Sequence, residues 1–257
     1  MLLVLDAGNT NIVFGGMDGE TVRFMARLSS NRQKTGDEYA LELSSLLHLH
    51  KAGKCFEGAV ISSVVPKLTE RLRYAVRLVT GSDSFVVAPG IETGFPLKTE
   101  NPASLGADLL ADMSAARVRY PLPVLIFDLG TATTLSVLDG SGAYVGGLIM
   151  PGLTVGMEAL AEKASQLFPV SLSTPKKLLG GNTADCIRSG TMFGHAAMLD
   201  GLAARAEREL GEKAAAIVAT GGLAPIVAPL CKRKLILDDT LTLRGLALLY
   251  ARNQKET

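Results

Sequence analysis

The chain has 257 residues, enough for one large domain or two small ones with a substantial core. Apolar residues make up 47%, charged residues 20%, and the formal net charge is +1, which excludes a general nucleic-acid binder or an electrostatic membrane anchor and leaves only local patches. Cys55, Cys186 and Cys231 show no Cys-x-x-Cys spacing, and the three histidines are too few and badly spaced for zinc; the pattern fits reduced thiols in a cytosol.

"MLLVLD" opens the chain as a first strand rather than a leader peptide. Apolar or alternating runs at 2–6, 11–16 and 21–28, separated by Gly8-Asn9 and Asp18-Gly19, predict an antiparallel meander. Residues 36–50 carry helical spacing behind Thr35 or Asp37 as cap. "GAVISSVVP" reads as a buried strand stopped by proline, "KLTERLRYAVRLV" as an amphipathic helix, "SFVVA" as a strand and 104–119 as a helix. The order then recurs: strands "VLIFDLG", "TTLSVLD" and "AYVGGLIM", helical "TVGMEALAEKASQL", and a long helix over 182–210. Strand "AAIVATGG", a short helix, strand "KLILD" and helix "TLTLRGLALLYARN" finish the chain. The longest uncharged stretch, 214–231, approaches a membrane span in length, but Gly221, Gly222, Pro225 and Pro229 interrupt it, so a soluble protein without membrane contact is expected. Meanders followed by alternating helices and strands, twice over, imply a duplicated α/β fold with lobes at 1–115 and 116–257.

Two turns punctuate the halves alike. "VLDAGNTNIVFGGMDG" and "IFDLGTATTLSVLDG" each place an aspartate, Asp6 or Asp128, at the end of an apolar run and follow it with a glycine and small polar residues. A hairpin tip of this kind presents backbone N–H groups that suit phosphate oxygens, with glycine permitting close approach. Asn9, Thr10, Thr131, Thr133 and Thr134 add donors. Asp6 and Asp128 would repel phosphate, so they are expected to hold cations, or waters on cations. "ATGGLAP" adds Gly221-Gly222 between a strand and a helix, where bare backbone could pack on a flat ring such as adenine.

"DAGNTN", "DLGTATT" and "TGG" resemble the phosphate-1, phosphate-2 and adenosine motifs of the actin-like (ribonuclease H-like) ATPase superfamily of sugar kinases, acetate kinase and actin. With "ISSVVP", "NPASLGAD", "GGLIMPGL" and "GNTADCIRSG" added, nearly the whole chain resembles the type III pantothenate kinase family. The resemblance implies a cytoplasmic homodimer that binds ATP with Mg²⁺ and a monovalent cation (K⁺ or NH₄⁺) and phosphorylates pantothenate, the entry step to coenzyme A. It implies ATP contacts from Asp6, Ala7, Gly8, Asn9, Thr10, Asn11, Ile12 and Val13 and from Thr131, Gly221 and Gly222. Asp6 would hold magnesium through water, and Asp128 the monovalent cation. Gly106, Ala107, Asp108, Leu109 and Thr183 would contact pantothenate, Thr183 across a dimer.

Asp108 lies at a predicted helix start, where the dipole and free N–H groups keep a carboxylate ionised and able to accept a proton; the resemblance makes it the general base. The chain departs from the family at Leu109, where an arginine is expected, and at Glu100, where some members have tyrosine. Leucine offers none of arginine's five donors, with Arg117, Arg188 or Lys163 as the nearby cations that could substitute. Two alternatives follow from that departure. One is a regulatory homologue, of the transcription accessory factor type, that binds nucleotide without turnover; the other is a kinase for a different small hydroxylated acid.

Overall fold

The computed structural model describes residues 1–53 and 56–254; Cys55 lies outside the described residues. The chain divides into two compact units, Met1–Val118 together with Thr240–Thr257, and Arg119–Asp239. Among the described residues no helix is long and apolar enough to cross a membrane.

In the first unit β1 (Leu2–Ala7), β2 (Asn11–Asp18) and β3 (Thr21–Ser29) form the expected meander, and β4 (Gly58–Ser63) and β5 (Ser84–Val86) extend it in the order β3-β2-β1-β4-β5. The β1–β4 and β4–β5 pairs are parallel, so each needs a helical crossover, and α1 (Gly36–Leu49) and α2 (Pro66–Thr80) supply them. Thr35 and Glu38 close a reciprocal capping box on α1. β4 ends at Ser63, and Pro66 opens the first turn of α2 behind the extended N-cap Val65. Leu3, Leu5, Ile12, Phe14 and Ile61 pack with Tyr39, Leu43, Leu68 and Leu72 of the two helices. A 3₁₀ turn, Pro102–Ser104, precedes α3 (Ala107–Arg119), so the helix starts three residues later than its sequence pattern suggests.

The last helix, α7 (Leu241–Asn253), belongs to the first unit, whereas halves at 1–115 and 116–257 would place it in the second. Glycines make the room: a Cβ on Gly15 would come 3.1 Å from Leu243, and one on Gly58 would overlap the Tyr250 hydroxyl.

The second unit repeats the plan. β6 (Val124–Leu129), β7 (Ala132–Leu138) and β8 (Tyr144–Pro151) form the meander, and β9 (Ala216–Thr220) and β10 (Ile236–Leu237) complete the order β10-β9-β6-β7-β8. β6 therefore takes the place of β1, β7 of β2, and β9 of β4. α4 (Leu153–Lys163), the long α5 (Thr183–Leu210) and the short α6 (Ala224–Val227) accompany the sheet. Leu125, Phe127, Leu129 and Leu135 bury against Met192, Ala196, Leu199 and Ala203 of α5.

Candidate active site

In the first unit a turn through Gly8, Asn9 and Thr10 joins β1 to β2. The Gly8 N–H donates to the Asn11 carbonyl at 3.0 Å. Ser30 holds the turn's carbonyls, its hydroxyl donating to Gly8 O at 2.6 Å and its N–H to Thr10 O at 2.9 Å. Arg32 donates to Asn9 Oδ1 at 2.9 Å and so brings a guanidinium to the rim. Neither Ser30 nor Arg32 carries a motif signal; the pairing of Asn11 with Ser29 returns them to the turn. Of residues 6–13, Asn9, Thr10 and Asn11 are exposed, while Ala7 and Ile12 are core residues. Asp6 lies between Val13 on β2 and Ser62 on β4.

Asp128 holds the equivalent register in the second unit, between Thr134 on β7 and Thr220 on β9. Directly paired residues share a sheet face, so these three form one polar row. The Gly152 N–H donates to Thr131 O at 3.2 Å, and a Cβ on Gly152 would come 2.7 Å from Gly130 O. That glycine, the N-cap of α4, thus seats the β6–β7 turn on the start of a helix. Gly221, at φ +88°, is pressed against β6: a side chain there would reach within 2.7 Å of the Leu129 backbone and overlap Asp128 Oδ1. Its bareness serves the seating of Asp128, a use the strand–glycine–helix pattern does not reveal; exposed Gly222 follows it. Thr133 differs from expectation. Its side chain faces the helix side of the sheet, opposite Leu129, and meets His195 Nε2 at 2.8 Å, so its hydroxyl is not available to a phosphate.

Asp108 stands in the first turn of α3. A Cβ on Gly106 would overlap Asp108 Oδ1, so the glycine lets the carboxylate fold back over the helix start. Asp108 Oδ1 accepts the Leu109 N–H at 2.9 Å. Burial pushes the Asp108 carboxyl above its ordinary value and outweighs the backbone donors, Leu109 N–H and its own amide, that pull it down. Desolvation thus outweighs those two donors, and the ionised carboxylate is a stronger base than that of an exposed aspartate. α7 fixes the helix behind it, with Thr242 Oγ1 donating to buried Asp112 Oδ1 at 2.6 Å.

Thr183 is the exposed first residue of α5, and the cap is Asn182, whose side chain accepts the Asp185 N–H at 2.9 Å. The three cations named as substitutes for an arginine at position 109 have the following places. Arg188 donates to Ser171 O and Asp185, and Lys163 pairs with Glu162. Arg117 lies eight residues further along α3, about 12 Å up the helix axis.

Among the described residues no three His, Cys, Asp or Glu side chains gather to hold a metal. The donor chemistry suits cations that keep waters or share phosphate oxygens: one carboxylate with hydroxyls at Asp128, Thr134 and Thr220, and one carboxylate at Asp6. Beside Asp6, the fully buried Ser62 Oγ has no protein hydrogen-bond partner.

The family model of type III pantothenate kinase matches residues 2–205. The chain belongs to the type III pantothenate kinase family. A type III pantothenate kinase of Exiguobacterium sp. is 40% identical over 99% of this chain and 100% of its own length. One of Moorella thermoacetica is 40% identical over 98% and 100%. The activator of 2-hydroxyisocaproyl-CoA dehydratase from Clostridium difficile, solved with bound ADPNP, superposes with a TM-score of 0.57 at 16% identity, covering 100% of this chain and 97% of that one. The fold of this pantothenate kinase family member is accordingly the duplicated α/β fold of the actin-like ATPases.

Proposed function

We propose that the chain transfers the terminal phosphoryl group of ATP to the primary hydroxyl of pantothenate, giving 4′-phosphopantothenate, the first step of coenzyme A biosynthesis. Beyond family membership, one observation carries the reading: Asp6 and Asp128 occupy the same register at the ends of equivalent strands, each beside a glycine-containing hairpin.

Phosphoryl transfer leaves a protein mainly alignment and charge neutralisation to provide. The exposed tip Asn9–Asn11, with Arg32 at its rim, would bind phosphate oxygens from the first unit, and Thr131 would do so from the second. Ala7, Ile12 and Val13 would act through backbone and through the shape of the hairpin. Gly222, bare and exposed beside Gly221, is the better candidate of the two for an adenine face. Asp6 would hold Mg²⁺ through water and Asp128 a K⁺ or NH₄⁺ ion; bound there, such cations neutralise the charge on the phosphates. Asp108 would take the proton of the acceptor hydroxyl as its oxygen bonds to phosphorus and ADP departs. Gly106, Ala107 and Leu109 would wall the acceptor, with Thr183 contributing from a second copy in a homodimer. Such an enzyme would act in the cytoplasm.

Leu109 favours a second reading. With no donor at that position and Arg117 too far along the helix, turnover could be lost and nucleotide binding kept, or the acceptor changed. A coupled ADP assay with ATP, Mg²⁺ and K⁺ separates these outcomes across pantothenate, other small hydroxylated acids and no acceptor. ADP release that requires pantothenate supports the kinase. Release that requires a different acid changes the substrate. Absence of release with retained nucleotide binding establishes the non-catalytic homologue.

A further inference from the structure

Thr133 and His195 form a buried polar pair in an otherwise apolar part of the second unit. The Thr133 side chain is fully buried and His195 is 8% exposed; Thr133 Oγ1 and His195 Nε2 lie 2.8 Å apart. Leu129, paired with Thr133, and Met192, Ala196 and Leu199, close to His195 along α5, all belong to the buried apolar core of this unit. Burying two polar groups costs free energy that their mutual hydrogen bond only offsets, and two apolar side chains would fill the same space without that cost. Burial also holds the imidazole below its ordinary pKa, so the bond joins neutral groups.

Position suggests what the pair does. Thr133 follows Thr131 by two residues and lies opposite Leu129, the residue after Asp128. The β6–β7 turn is held from one side by Gly152, through its N–H on Thr131 O, and from another by Gly221, packed on Asp128 and Leu129. Both are backbone supports. His195 supplies the side-chain support and ties the outgoing strand to the long helix.

We infer that His195 is a positioning residue for ATP binding: through Thr133 it sets the height and direction of the β6–β7 hairpin, and with them the Thr131 and Thr134 hydroxyls. The inference rests on reading that hairpin as a phosphate-binding element. His195 touches no substrate in this scheme.

The test compares Thr131→Ala, His195→Ala, His195→Gln, Thr133→Val and Thr133→Ser for binding of the ATP analogue AMPPNP by calorimetry, for the KM of ATP and of pantothenate, and for melting temperature. Loss of one buried hydrogen bond corresponds to roughly a two- to tenfold change. His195→Ala and Thr133→Val are each expected to weaken AMPPNP and raise the KM of ATP within that range, leaving the KM of pantothenate unchanged. A His195→Ala/Thr133→Val double variant, measured alongside, should bind AMPPNP no more weakly than the more affected of the two singles, because both remove the same bond. His195→Gln and Thr133→Ser, which keep a polar partner, should restore ATP affinity. Lowered melting temperatures with ATP affinity unchanged would overturn the inference, and Thr133→Val, nearly isosteric, decides it if His195→Ala does not fold. Should Thr131→Ala weaken AMPPNP while the His195 and Thr133 variants do not, only the positioning role falls. Should Thr131→Ala also leave AMPPNP binding intact, the phosphate-binding reading of the hairpin falls with it.

Discussion

Gly245 of α7 lies so close to Ala111 of α3 that a methyl group added to the glycine would overlap the Ala111 carbonyl and come 2.8 Å from its Cα. The opposing atoms are backbone, so a larger residue cannot be accommodated by a rotamer change. Gly245→Ala should therefore cost about 3 kcal/mol, the upper end of ordinary overpacking. Urea unfolding gives the loss, and because α3 carries Asp108, kcat should fall further than the KM of ATP rises.

Asp108 gives a pH prediction whose sign follows from burial. Its carboxyl titrates higher in the folded chain than its ordinary value of 3.8. The folded state therefore binds more protons than the unfolded one between those two values, and stability contributed by the protonated acid is lost as pH rises through the folded pKa. At neutral pH the ionised group is a destabilising one, so Asp108→Asn should raise the melting temperature while removing activity. In the unsubstituted enzyme the acid limb of kcat should fall above pH 3.8; a lower melting temperature for Asp108→Asn, or a limb at or below that value, contradicts the assignment.

Glu207 carries the opposite sign. It is buried on α5, hydrogen-bonded to Arg233, to Lys213 and to the Ala214 N–H, and the Arg233 bond, first among these, holds its carboxyl down at about 2. Its contribution is present above the ordinary value of 4.5 and is lost as pH falls towards about 2. Glu207→Gln leaves Arg233 without its partner and should cost on the order of 3 kcal/mol near neutrality. The difference from the unsubstituted chain should shrink in acid unfolding experiments below pH 4.5.

Asn182 and Thr183 separate stability from binding at adjacent residues. Asn182→Ala removes the α5 cap and should cost about 1 kcal/mol. Thr183→Ala, at an exposed position without a capping bond, should leave stability within about 0.5 kcal/mol and raise the KM of pantothenate. Equal effects of both substitutions on KM would show that the helix start, and not the Thr183 hydroxyl, matters.

Much of the fold is legible because its signals are local. The meanders show in alternation and in Asp-Gly turns, α1 in its capping box, and α2 in Pro66 and the glycine that ends it. The duplicated hairpins are visible because Asp6 and Asp128 recur in matching contexts. What escapes a linear reading depends on contacts between distant segments. No local pattern puts α7 with the first unit, since that rests on Gly15, Gly58 and Gly245 meeting residues far along the chain. Helix position suggests an Asp108 able to accept a proton, but the rise in its pKa comes from burial, which only the fold supplies. Thr133 looks like a third hydroxyl in a phosphate turn until strand alternation turns it towards His195. Gly221 and Gly152 read as generic turn glycines, and their work is to seat Asp128 and Thr131.

The most direct test of the account is single-turnover phosphoryl transfer from ATP to pantothenate, followed as 4′-phosphopantothenate, in the unsubstituted chain and in Asp108→Asn, with AMPPNP affinity measured on both. The unsubstituted chain is expected to give stoichiometric ester, the variant to lose roughly two to four orders of magnitude in rate, and the two to bind AMPPNP equally. Transfer at full rate in Asp108→Asn, or ADP formed by the unsubstituted chain without phosphorylated pantothenate, would contradict it.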